Sequence, residues 1–372
     1  MPSRHTRRRV VTMALGVALV SGASLLVGEV LMRVFVPQDL SGSWFVSSGR
    51  NYSLNKAGGT ARHQSGNRVV TYRFNEHHMR GGPVAPDADC TVLCLGDSFT
   101  FGWLVEEQES FVGLLQAKAA AGFPSASFAW LNGGTGGWGT ASYTAFFEDH
   151  AAELHPDIVI VFLNFLDVYR SVNTGLFECR KDSSQTLERT IAASAPPSLR
   201  DVIQGAPGYQ WLLEHSHLMQ LARRAFLRAQ GGGAPCVVEA QANDLVKAVE
   251  LTQALFRRLN EDCMKNGARM WVVSIGAGRL VEQVSPGEWS EADRRFADVA
   301  PEFFSSIQVP FIDLDRPIAD AAGKEAGHYL IPVDLHLNEA GNALVATMLW
   351  PWLQERLAQV IRPSSQIHVA KP

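Results

Sequence analysis

Three stretches, Thr91 to Leu95, Ile158 to Leu163 and Ala268 to Ile275, are dominated by apolar residues that do not alternate with polar ones. A strand with one wet face alternates; a strand covered on both faces does not, and such strands belong to parallel sheets. Weaker β-like runs occur at Ser127 to Leu131 and at Val309 to Leu314. Between them lie helical patterns, from about Glu107 to Ala121, Ala141 to Leu154, Asp244 to Lys265 and Glu291 to Phe304, with a last helix running to about Leu357. In the third of these, Leu245, Val249, Leu251, Leu255 and Leu259 mark an amphipathic face, and Asn266-Gly267 ends it. Strands alternating with helices predict an α/β fold, a three-layer sandwich with a mainly parallel central sheet. An apolar share of 46% against 19% charged gives a chain of 372 residues enough material for a sizeable core. A net charge of −4 argues against nucleic acid as the main partner.

The N-terminus is built differently. Arg4, Arg7, Arg8 and Arg9 precede an apolar run from Val10 to about Gly28. About 19 residues at ~1.5 Å each span ~28 Å, close to the thickness of a bilayer core. A signal anchor is favoured because apolar character continues past Glu29 to Val36. A cleaved signal with Ser21-Gly-Ala23 as its small-residue site and a twin-arginine signal at Thr6–Val11 compete with it. All three export the body of the protein. The positive-inside rule keeps the arginines cytoplasmic, so the expectation is a single-pass protein of the inner (cytoplasmic) membrane with its main domain on the periplasmic or extracellular side. The expected organisation is an anchor over 1–36, an irregular β-like apron with a hairpin over 37–89, an α/β domain over 90–362 carrying an insertion at about 171–243, and a tail over 363–372.

The chemistry is expected where the first buried strand ends. Gly96 and Asp97 are turn residues, and Ser98 follows at the carboxyl end of the strand, where open α/β sheets place their ligands. The stretch Gly-Asp-Ser-Phe-Thr-Phe-Gly (96–102) resembles the first block of the SGNH (GDSL-type) hydrolases. The segment Arg73 to Gly81 resembles one that precedes that block in exported bacterial members, which usually carry Gly where His78 stands. Asn132-Gly-Gly-Thr-Gly-Gly-Trp-Gly-Thr140 resembles the second block, in which a glycine N–H serves the oxyanion. That position falls on Gly137, with Gly136 as its rival. A dinucleotide-binding loop is the competing reading, but no acidic residue closes the next strand.

In the resembling family the strand matching Ile158–Leu163 ends in a Gly-Asn-Asp type block whose Asn completes the oxyanion hole. The matching positions read Phe165-Leu166-Asp167, which puts Leu166, unable to donate, at the Asn position. Asn164, two residues earlier and on the same face, either supplies the amide or caps the strand end. The last block resembles Pro332-Val-Asp-Leu-His-Leu-Asn-Glu-Ala-Gly341, with the short spacing Asp334-x-His336 in place of the usual Asp-x-x-His. The resemblance, over roughly residues 70–360, implies Ser98 as nucleophile, His336 as base and Asp334 as its orienting carboxylate. Gly137, and Asn164 if its loop is shifted, would bind the oxyanion. It implies no metal and no organic cofactor.

The expected function is therefore a serine esterase acting on ester-linked acyl groups, acetyl first, of cell-envelope or extracellular glycans. The partners are an ester-bearing small molecule or polysaccharide and, through the N-terminal helix, a membrane. Two alternatives stay open: a glycan O-acyltransferase using the same residues, and a non-catalytic, membrane-tethered carbohydrate-binding or assembly protein, which Leu166 favours. Asp97 is expected to be structural. His328 is a rival base without a motif. His77, His78, His215 and His217 are expected at the surface. Cys90 and Cys94 should be buried fillers of one strand face, with Cys263 on a helix face. Cys179 and Cys236 bracket the insertion and are candidates for a disulfide in an exported body.

Overall fold

The computed structural model describes residues 4–85, 87–164, 166–179, 187–190, 203–204, 206–229 and 242–361. The chain divides into two compact units. The larger comprises 44–60, 71–201 and 239–372; the smaller comprises 1–43, 61–70 and 202–238. The apron of residues 37–89 and the insertion are thus each shared between the two.

The larger unit is organised on a five-stranded sheet of β1 (Cys90–Leu95), β2 (Phe128–Asn132), β3 (Ile158–Leu163), β4 (Arg269–Ser274) and β5 (Phe311–Asp313), in the order β2-β1-β3-β4-β5. Every pairing in it is parallel. β3 is buried at all six positions, as its unalternating sequence requires. One sheet face, with Leu93, Leu95, Val159, Val161 and Val272, packs under helices 140–154, 242–265 and 291–306. The other, with Val92, Cys94, Ile160, Phe162 and Val273, packs under helices 111–122, 277–284, 315–322 and 339–360. This is the expected three-layer sandwich. The strand order reverses direction between β1 and β3, and Ser98 follows β1, so it stands at a topological switch point of the sheet.

Several boundaries differ from expectation for local reasons. The helix expected from Glu107 begins at Phe111, because Ser110 accepts the N–H of Gly113 and caps it there; Glu107–Glu109 forms a separate 3₁₀ turn. Cys90 and Cys94 are buried on one face of β1, and burial pushes the Cys90 thiol up to about 12. Cys263 is buried within its helix, Ala242–Lys265. Cys179 is an exposed free thiol, and Cys236 lies outside the described residues, as does the 363–372 tail.

In the smaller unit, α1 (Arg4–Phe35) is a single helix. Its stretch Arg8–Phe35 is long and apolar enough to cross a membrane and is unburied throughout. The sequence pattern from Gly208 to Ala229 reads as one helix, but the chain forms two, α4 (Tyr209–His215) and α5 (His217–Ala229), following α2 (Ser98–Phe101) and α3 (Asp167–Thr174) of the larger unit. Ser216 breaks it: its backbone is extended, and its hydroxyl accepts the N–H of Met219 to cap the second helix. His215 is exposed as expected, but His217 is buried, its Nδ1 accepting the Gln38 N–H at 2.8 Å. Leu40–Ser41 pairs antiparallel with His63 and Gln64, and the Gln220 amide donates to Ser41 O at 2.8 Å.

Candidate active site

Asp97 and Ser98 form the junction between β1 and a one-turn helix, α2 (Ser98–Phe101). Asp97 is the N-cap: its Oδ1 accepts the Phe99 N–H at 2.9 Å. The turn is then fixed in place by the second glycine-rich loop. Thr135 N–H donates to Gly96 O at 3.1 Å, and the Asn132 amide donates to Thr100 O at 3.0 Å. Gly134 allows this approach, since a Cβ there would lie 2.3 Å from the Phe101 backbone nitrogen. Gly134→Ala is expected to lower stability by about 1–3 kcal/mol, as overpacking does, measured as a drop in the denaturation midpoint. Gly137 needs its glycine for another reason: φ is +81°, while nothing lies within 4 Å of a Cβ built there. Its N–H therefore belongs to a left-handed turn beside open space.

The C-terminal block brings His336 to Ser98, with Asp334 behind it. His336 Nε2 lies 2.7 Å from Ser98 Oγ, and His336 Nδ1 lies 2.6 Å from Asp334 Oδ1. The loop curls because Val333 and Leu335 adopt left-handed φ of +70° and +65°, at a strain of roughly 1–2 kcal/mol each for residues with a Cβ. The curl is closed by Ile331 N–H donating to His336 O at 2.7 Å and Leu335 N–H to Ile331 O at 2.9 Å. Burial works against the Asp334 charge, but the hydrogen bonds and charge of His336 outweigh it and hold the carboxyl below its usual range. A carboxyl depressed by folding stabilises above its unfolded pKa near 4 and loses that contribution only as pH falls further. The motif Asn338-x-x-Gly341 is a helix cap: Asn338 Oδ1 accepts the Gly341 N–H at 3.0 Å and starts the helix Glu339–Val360. His328 lies in a 3₁₀ turn against Tyr329, and its carbonyl accepts from Asn338.

Two neighbours of His336 carry no sequence motif. The Trp103 ring stacks on the imidazole at 5.6 Å and 28°, and the Phe99 ring lies 4.7 Å away. Both come from the segment that carries Ser98. Trp103 in turn packs on Trp44 at 5.6 Å.

Asn164 follows β3 directly and is 9% exposed. Its Nδ2 donates to Asp97 Oδ2 at 2.6 Å, so Asn164, and not Leu166, is the residue brought to the Ser98 turn. Leu166 instead precedes α3 (Asp167–Thr174) as its N-cap residue. The same Asp97 oxygen receives Arg170 Nη1 at 2.6 Å. Asp167 completes the group, with Oδ2 accepting the Asn164 N–H at 2.9 Å. Asp97 and Asp167 are fully buried. Burial, then the neighbouring Asp97 charge, push the Asp167 carboxyl well above its usual range. Burial disfavours the Arg170 charge, but Asp97 and Asp167 more than offset it. The buried group under Ser98 thus joins two carboxyls, Asp97 and Asp167, to one guanidinium, Arg170.

His77 pairs with Glu153 at 3.0 Å, and His78 Nδ1 lies 2.6 Å from Asn55 O. His78 has φ +62°, which accounts for the glycine usual at this position among the resembling sequences.

With this geometry in place, the comparison with known families is decisive. Residues 94–344 match the family described as GDSL-like Lipase/Acylhydrolase. The chain belongs to this family. Its members are acyl-ester hydrolases, and the matched span contains Ser98, Gly137, Asn164, Asp334 and His336. Similar solved structures include the acetyl xylan esterase AlAXEase, 13% identical, with a TM-score of 0.41 over 71% of this chain and 99% of that one. The psychrotrophic esterase EstA from Pseudoalteromonas sp. is 13% identical, with a TM-score of 0.41 over 72% of this chain and 98% of that one. The lipase/acylhydrolase from Enterococcus faecalis is 14% identical, with a TM-score of 0.40 over 72% and 96%. Comparison with curated proteins gives no match.

Proposed function

We propose that the protein is a membrane-anchored serine esterase that removes small acyl groups, acetyl first, from glycans of the cell envelope or its surroundings. The observation that carries this reading is the chain of hydrogen bonds from Ser98 Oγ through His336 to Asp334. Ser98 Oγ attacks the ester carbonyl while His336 Nε2 takes its proton. Asp334 holds Nδ1–H, fixes the tautomer and stabilises the imidazolium. The N–H groups of Ser98, at the start of α2, and of Gly137 face the developing oxyanion. Asn164 ties that wall to Asp97 and is the third candidate donor. His336 then returns its proton to the leaving alcohol, and water, activated by the same imidazole, releases the acyl group. A small acyl group suits a serine that is only 6% exposed. The arginine-flanked helix α1 supplies the anchor and keeps the α/β unit on the exported side.

A fluorophosphonate probe on the full chain tests the nucleophile. Labelling of the wild type that disappears in Ser98→Ala supports the enzyme; a wild type that resists labelling and releases no acetate from acetylated glycan sinks it. Trp103 is a positioning residue in this scheme. Trp103→Leu should lower kcat about 10–100-fold, as small misplacements of a reacting group do, with KM little changed. Steady-state kinetics on p-nitrophenyl acetate separate the two constants.

A further inference from the structure

The stretch of α1 from Arg9 to Glu29 rises about 30 Å at ~1.5 Å per residue, and a bilayer core is ~30 Å thick. With the basic run at one interface, Glu29 stands at the other. Its carboxylate is occupied. Oε2 accepts from Ser216 Oγ at 2.8 Å and from the Leu218 N–H at 3.0 Å, and Oε1 accepts the His217 N–H at 3.0 Å. Glu29 thus caps the N-terminus of α5 from outside that helix. Arg33 makes a second tie, donating to His215 O at 3.0 Å. The junction of α4 and α5 is therefore fixed at the level where α1 leaves the bilayer.

α5 has two unlike faces. One carries Gln220 and Arg224, which bond to Ser41 and Gln38 in the same unit. The other carries Leu218, Leu221, Ala222, Ala225 and Phe226, an apolar stripe at helical spacing. At its head Leu218 lies against Gly28 of α1, where a Cβ would stand 3.6 Å from its side chain. Beyond Leu218 the stripe is open: Leu221 is 37% exposed and Phe226 54%, with Ala222 and Ala225 exposed between them. Trp211 on α4 adds a ring that is 61% exposed. The stripe thus meets the apolar surface of α1 at its head, where Leu218 faces Gly28.

We infer that α5 is an interfacial helix. Its stripe lies in the headgroup–acyl boundary of the phospholipid bilayer that holds α1, on the exported side. Tryptophan, phenylalanine and leucine beside an exposed arginine, Arg228, suit that depth. The inference rests on the reading of α1 as a membrane anchor. It would set the α4–α5 segment on the surface as a second contact beside the span.

The test uses the full chain in vesicles of phosphatidylcholine and phosphatidylglycerol. Cys179 and Cys236 are replaced by serine, and single cysteines introduced by Leu19→Cys, Ala222→Cys or Ala225→Cys carry an environment-sensitive fluorophore. Retained ester hydrolysis shows that each labelled chain is folded. Labels at 19, 222 and 225 are all expected to lose about half their emission or more when lipids carry a nitroxide quencher near the depth of an interfacial helix, some 5–10 Å below the headgroups. Quenching at 19 without quenching at 222 and 225 overturns the inference and leaves the anchor standing; disulfide cross-linking between copies at 222 in that case assigns the stripe to a second copy. No quenching at any of the three overturns both the inference and the anchor.

Discussion

Ser98→Ala is expected to reduce hydrolysis of p-nitrophenyl acetate by ~10⁴–10⁶-fold, the loss seen when the nucleophile of such a triad is removed. The substitution removes one oxygen whose recorded partner is His336 Nε2, at 2.7 Å. The fold should therefore stay intact, with an unchanged melting transition. His336→Ala and Asp334→Asn should fall in the same class, and combining them with Ser98→Ala should add almost nothing, because the three groups act as a unit. Additive losses, or a Ser98→Ala protein that keeps more than about a tenth of its turnover, would mean that another nucleophile does the work. Glycan binding that survives Ser98→Ala is expected, since the hydroxyl reacts with the ester and need not hold the sugar.

The parts of this site differed in how far the sequence exposed them. β3 was legible because a strand covered on both faces carries no polar residue to blur its ends. Ser98 and the Asp334–His336 pair were legible as residues because each sits inside a short local block. The partners that act across the fold were not. Arg170 shares only an i, i+3 spacing with Asp167, while its main target, Asp97, lies 73 residues earlier in the chain. Trp103 reads as one more aromatic in a glycine-flanked turn; only the folded chain lays it on the imidazole. Block matching puts Leu166 at the family's Asn position and leaves Asn164 as the alternative, because it does not give the strand's last residue. β3 ends at Leu163, so the first polar side chain beyond it is Asn164. The break at Ser216 was hidden for a similar reason: the carboxylate that caps α5 belongs to Glu29, on the far side of the sequence.

Arg170→Met should cost about 3–5 kcal/mol of stability, the usual penalty for removing one partner of a buried ion pair. The side chain is 22% exposed, but its contact atom, Nη1, lies 2.6 Å from an Asp97 carboxylate that is 0% exposed. Without the guanidinium, Asp97 keeps hydrogen bonds from Phe99 N–H and the Asn164 amide but no opposite charge. Asp97 and Asp167, both buried, are then left without the cation that approaches them in the wild type. The variant should accordingly regain stability on acidification, because a buried carboxylate left without a cation gains from protonation; the wild type should show less of this gain. Activity should fall with stability, because Asp97 is the N-cap of the turn that presents Ser98. The double variant Asp97→Asn/Arg170→Met separates charge from packing. If the unpaired carboxylate is the source of the penalty, the double variant is more stable than Arg170→Met alone, and a denaturant-based cycle returns a coupling of about 1–3 kcal/mol. A cycle that closes to zero would show that Arg170 serves by filling space above the sheet, and that the charge beneath Ser98 is neutralised by other groups.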